Sequence, residues 1–133
     1  MSRISDIREW SSKFDVNARP WLVLGKGPTY AKIKNVETSE FFLMSLNHVV
    51  RERPVDVAHV IDLDVVSSCE DAIWSNAGTL VMPLHPHVGC KPSSRPLTEL
   101  LDEVPVLRRL AEAGRLVWYN ASTWKKPRSG SPV

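Results

Sequence analysis

Cysteine is scarce in this chain of 133 residues: Cys69 and Cys90 are the two present. Thiols so few and so far apart make neither a disulfide framework nor a C-x-x-C metal site, and reduced thiols are expected. Long apolar runs are missing as well, and the N-terminus, with Arg3, Asp6 and Glu9, has no signal-peptide pattern. By elimination the expectation is a cytoplasmic protein without a transmembrane segment, free or attached peripherally to a membrane. An excess of one charge is also absent. The formal net charge is +2, and the basic residues are scattered except for Lys125, Lys126 and Arg128. That argues against a dedicated nucleic-acid binder, which carries a basic stripe. No G-x-S-x-G elbow, H-E-x-x-H helix or Walker sequence occurs, and no cysteine sits in a catalytic pattern, so hydrolase and metalloprotease chemistry find no support.

What is present describes one folded domain. Hydrophobic residues at 43% against 24% charged exclude a disordered chain, and the length suits a single core. Residues 1–124 are expected to form that domain, and residues 125–133, rich in Lys, Pro, Ser and Gly, a flexible basic tail. Ile4, Ile7, Trp10 and Phe14 recur at helical spacing and predict a helix over 4–14. Apolar runs at 20–24, 41–46, 57–61, 79–82 and 115–119 predict about five strands. Helical turns are expected at 28–34 and 49–53 and a helix at 68–76, with Ala77-Gly78 as its stop. A longer helical region at 96–113 should break at Pro105 and end at Gly114.

Short apolar strands alternating with helices imply a mostly parallel sheet covered on both faces, an α/β domain of three α/β/α layers with a Rossmann-like character. In such sheets ligands bind beyond the carboxyl ends of the strands. The polar residues of this chain collect there. Gly25-Lys26-Gly27, Asn47-His48, Asp62-Leu63-Asp64, Pro83-Leu84-His85 and Asn120 all follow predicted strands.

Each group has a chemistry and a plainer alternative. Gly25-Lys26-Gly27 ahead of Pro28 and Thr29 is suited to a phosphate: glycines permit close backbone approach, and a helix N-terminus supplies N–H groups and a favourable dipole. The loop is shorter than G-x-G-x-x-G, and the alternative is a tight turn. Asn47 can donate and accept, which suits a base or ribose edge, or it can cap the following turn. Asp62 and Asp64 form a D-x-D able to hold a divalent cation on a diphosphate, or they mark an acidic helix start. His85 and His87, stiffened by prolines, are candidates for an acid/base step or metal ligation, although no third ligand stands at an obvious spacing. His59, alternating with apolar neighbours, reads as a core histidine, and His48 is a lesser candidate beside Asn47. Trp118, Tyr119, Asn120 and Trp124 could stack on a sugar or base, or simply pack.

Val23-Leu24-Gly25-Lys26-Gly27-Pro28-Thr29, then Ser45-Leu46-Asn47, then Val57-Ala58-His59-Val60-Ile61-Asp62 resemble the N-terminal half of bacterial sialyltransferases, in particular glycosyltransferase family 42. The resemblance covers about residues 20–83 and rests on a short motif. It implies that Gly25, Lys26, Gly27, Pro28 and Thr29 lie against the phosphate of CMP-sialic acid and that Asn47 contacts the nucleotide. Asp62 stands near a donor-binding asparagine of the family. The family is metal-independent, which would leave Asp62 and Asp64 without a cation and the protein without a cofactor. The chain departs from the family pattern at Lys26, where asparagine is usual. It also lacks a match in residues 115–133 to the half that carries the family's catalytic histidine and donor-binding tyrosines. The expectation is therefore a sialyltransferase-like domain for a nucleotide-sugar donor and a glycan acceptor, complete or partial. The alternative is a non-catalytic nucleotide-, phosphate- or protein-binding module of the same fold.

Overall fold

The computed structural model describes residues 4–13, 18–25, 40–89, 91 and 93–120. Six strands form one sheet: β1 (Ser5–Asp6), β2 (Trp21–Leu24), β3 (Phe42–Leu46), β4 (Val55–His59), β5 (Ala77–Pro83) and β6 (Leu116–Tyr119). Their spatial order is β1-β6-β5-β4-β3-β2, and every neighbouring pair is parallel. From β2 to β6 each strand lies beside its successor in the chain, and β1 adds beyond β6. The α/β class and the parallel sheet expected from the apolar runs are thus present.

Between the strands run α1 (Ile7–Lys13), α2 (Leu63–Ser68), α3 (Glu70–Asn76), α4 (Leu97–Leu100) and α5 (Pro105–Glu112), with a 3-10 turn at Asn47–Arg51. The register sorts the strand residues onto two faces, as the two-residue period of a strand requires. Leu43, Ala58, Leu80, Met82 and Leu116 belong to the larger core, with Val49 and Val50 of the 3-10 turn, Val66, Ile73, Leu97, Leu100, Leu107 and Leu110. Val57, Val81 and Val117 point the other way, and Ile7 and Trp10 of α1 pack on them. The three layers are therefore unequal: α2 to α5 lie on one side and α1 on the other. Among the described residues, no helix is long and apolar enough to cross a membrane.

Several boundaries differ from the spacing. Residues 5 and 6 pair with Val117 and Trp118 rather than opening a helix. β4 begins at Val55, two residues early, and Asp56 lies within it, its Oδ2 accepting the backbone N–H of Leu43 at 2.8 Å. α3 ends at Asn76 with Ala77 as its C-cap, as expected, while Gly78 already lies within β5. Helix begins at Leu63 rather than at 68, so Asp62 and Asp64 take the acidic-helix-start alternative and α2 precedes the expected helix. Gly114 does close α5, with a φ of 73°. The helical turn expected at 28–34, Trp124 and the tail lie outside the described residues.

Candidate functional site

β2 delivers Gly25 to the carboxyl edge of the sheet directly after the buried Leu24. Two local reasons for a glycine can be checked there, and neither holds. Gly25 is not among the residues with positive φ. Among the described residues, a Cβ built on it would meet nothing closer than Leu46 Cδ1, at an ordinary 3.7 Å. The described residues thus leave space for a side chain at a position that carries none. Lys26, Gly27, Pro28 and Thr29 lie outside the described residues.

At the end of the adjacent β3 stands Asn47, exposed and with a φ of 51°. Asparagine is one of the few side chains that enter this left-handed region readily. The conformation lets the chain leave the strand and start the 3-10 turn at once. Asn47→Gly should therefore leave the urea midpoint of unfolding within error of the parent. Asn47→Val should cost about 1–3 kcal/mol, the range for a strained backbone residue. Equal stability of the two variants would dissociate Asn47 from that backbone role. The neighbouring His48 is engaged with the helical layer, Nε2 lying 3.4 Å from Ser68 Oγ.

Past β4, the two carboxylates of the D-x-D serve the backbone. Asp62 is the N-cap of α2, its Oδ1 accepting the Asp64 N–H at 2.8 Å. Asp64 Oδ2 accepts the N–H of Gly89 at 3.1 Å, which fixes a turn where Gly89 has a φ of 62°. His87 joins the same assembly through its main chain. Its N–H donates to Ile61 O at 2.9 Å, and its carbonyl accepts from Leu63 N at 2.8 Å. The segment after β5 is thus fastened to the start of α2. His85 is exposed and His87 half-buried, with the buried Pro86 between them. Among the described residues, no group of three or more His, Cys, Asp and Glu side chains could hold a metal ion. Asn120, half-buried, follows β6 on the same edge.

One polar contact is not foreseen by the sequence spacing. His59 ends β4 and Tyr119 ends β6, and His59 Nε2 lies 2.7 Å from Tyr119 Oη across the intervening β5. Both belong to the α1 face, above Val81 and Val117. Burial pushes the His59 imidazole below its ordinary value and the Tyr119 phenol above its own, so both are neutral near pH 7. The alternation of His59 with apolar residues gave its burial. The partner could be found only from the register of three strands.

The carboxyl edge thus brings together Gly25, Asn47, Asp62, Asp64 and the His59–Tyr119 pair, with His85 and His87 on the segment docked beside α2. Comparison of the chain with family models, curated proteins and solved structures found no match.

Proposed function

We propose that the carboxyl edge binds the nucleotide of an activated sugar donor and that the chain is a glycosyltransferase-like, specifically sialyltransferase-like, domain. The observation that carries this reading is Gly25. A glycine that neither its backbone conformation nor packing against the described residues demands, placed at the end of a parallel strand, leaves room for a ligand to approach the main chain. Asn47, one strand away, offers both a donor and an acceptor to a base or ribose. Lys26, Gly27, Pro28 and Thr29 complete the phosphate cradle in this reading, and Asp62 faces the donor as the helix cap it already is. His85 and His87 are the imidazoles on the loop after β5. The donor is CMP-sialic acid or a close relative, bound without metal, and the acceptor is a glycan hydroxyl.

Thermal-shift titration tests this directly. CMP and CMP-sialic acid should each raise the melting temperature in the presence of chelator. A shift with UDP that needs manganese would move the assignment to a metal-dependent enzyme using Asp62 and Asp64, and no shift with any of them would refute nucleotide binding. Gly25→Ala should keep the parent melting temperature within about 1 °C while losing most of the CMP shift. An undiminished CMP shift would remove Gly25 from the site. A non-catalytic nucleotide-binding module is the second reading. It is favoured by the engagement of both Asp62 and Asp64 in backbone hydrogen bonds, and it requires the CMP shift without any turnover of donor.

A further inference from the structure

The geometry points to Tyr119 as a catalytic residue that takes the proton of the incoming acceptor hydroxyl, with His59 as the positioning residue that receives the proton from Tyr119. This inference rests on the nucleotide-sugar reading and adds to it the base that reading needs. Three observations carry it. The pair closes at 2.7 Å although its members sit on strands separated by β5, so two side chains reach across a neighbour to meet. Their rings are 5.6 Å apart and tilted by 43°, a geometry that aims the phenol oxygen at the imidazole edge rather than stacking the faces. Both residues are the last of their strands, so the contact lies at the carboxyl edge and not at mid-sheet. From β2, which bears Gly25, to β4 is two strand spacings, about 10 Å. That is the scale of a nucleoside monophosphate, and it leaves the sugar toward β4 and β6.

The proton and electron movements close without a further reactant. The phenol O–H donates to neutral His59 Nε2, and His59 keeps its own proton on Nδ1. As the acceptor oxygen attacks the anomeric carbon, its proton passes to Tyr119 Oη while the Tyr119 proton passes to His59 Nε2. A bond forms between the acceptor oxygen and the anomeric carbon. The bond from that carbon to the phosphate oxygen breaks, and its electron pair leaves with the nucleoside monophosphate. His59, now imidazolium, returns its proton to water after release. A partly buried setting favours this relay, since the neutral imidazole is the form that can accept.

The test uses the full chain with CMP-sialic acid as donor and water as acceptor, following release of CMP by chromatography alongside the CMP thermal shift. Tyr119→Phe, which keeps the ring and loses only the hydroxyl, should lower the turnover number at saturating donor about 100-fold or more while KM and the CMP shift stay unchanged. His59→Gln should do the same. The double variant should be no slower than either single one, because the two act as one unit. A purely structural hydrogen bond would instead lower the melting temperature and leave turnover of the folded fraction intact. Turnover of Tyr119→Phe within about threefold of the parent overturns the inference. So does a parent that binds CMP yet releases none from CMP-sialic acid. Absence of any CMP shift refutes the underlying nucleotide reading instead, so the two failures are distinguishable.

Discussion

Replacing Gly78 with alanine should lower the melting temperature by about 4–12 °C. In most strands the same change is neutral or helpful, because alanine restricts the unfolded chain more than glycine does. At Gly78 the sign reverses for a steric reason. A Cβ there would lie 2.8 Å from the backbone oxygen of Asp56, and the carbonyl carbon and Cα of Asp56 follow at 3.5 and 3.6 Å. The obstacle is main chain in the adjacent strand, so no side-chain rotation relieves it. Asp56 cannot simply recede, since its carboxylate holds the Leu43 N–H of β3 at 2.8 Å. Crowding of this kind costs about 1–3 kcal/mol, and at this chain length about 1 kcal/mol moves the midpoint by about 4 °C. Scanning calorimetry of Gly78→Ala beside the parent decides the matter. An unchanged or raised midpoint would mean that β4 and β5 have room to separate.

The second large effect is expected at the same, amino edge of the sheet. Arg115, just ahead of β6, donates from Nη2 to Trp74 O at 2.9 Å and Ala77 O at 2.5 Å, and from Nε to Gly78 O at 3.2 Å. These carbonyls include the end of α3, where helix geometry leaves oxygens without partners and the dipole favours a cation. The guanidinium also lies 4.5 Å from the centre of the Trp74 ring, which Arg109 approaches at 4.0 Å. Arg115→Ala removes one forked cation from three acceptors at once and should cost about 2–3 kcal/mol in urea unfolding, given about 1.5–3 kcal/mol for hydrogen bonds to charged groups. Arg115→Lys should recover less than half, because an ammonium cannot span the three oxygens as the planar fork does. Both variants should bind CMP like the parent when folded, since Arg115 stands at the amino edge, far from Gly25 and Asn47. A loss below about 0.5 kcal/mol in Arg115→Ala would show that water replaces the guanidinium without penalty.

The strands were legible because each buries a short apolar run, and the glycine and asparagine ends were legible because parallel sheets present their ligand edge there. The misreadings have separate physical causes. Ile4, Ile7 and Trp10 have the spacing of one helical stripe, yet Ile4 packs on the larger core and Ile7 and Trp10 on the opposite face. The chain changes direction between them, and a two-residue polar strand such as Ser5-Asp6 carries no hydrophobic signature. The places of Asp56 and Gly78 inside strands were not legible because their reasons lie across the sheet, in a neighbouring N–H and a neighbouring carbonyl. At the edge, an acidic helix start at Asp62 and Asp64 was legible as the plainer alternative, but the helix itself at Leu63–Ser68 was not, since Val65 and Val66 mask it. The bond between His59 and Tyr119 depends on how β4, β5 and β6 align, which no local pattern encodes.

The placement of β1 beside β6 bears on how the chain is made. Each of the strands from β2 to β6 can pair with the one synthesised just before it, so the sheet can grow one strand at a time as the chain emerges. Ser5 and Asp6 cannot, because their partners, Val117 and Trp118, are the last of the described strands to be translated. Nearly the whole described chain must be closed into one loop before that pair forms, at an entropic cost that rises with the logarithm of loop length. The first of the described strands to be made is thus the last of them to be seated. Until it is, β6 presents an open edge to any other extended chain nearby. A ribosome stall late in translation would expose that edge longest, making the period before β1 docks the time of greatest exposure to aggregation.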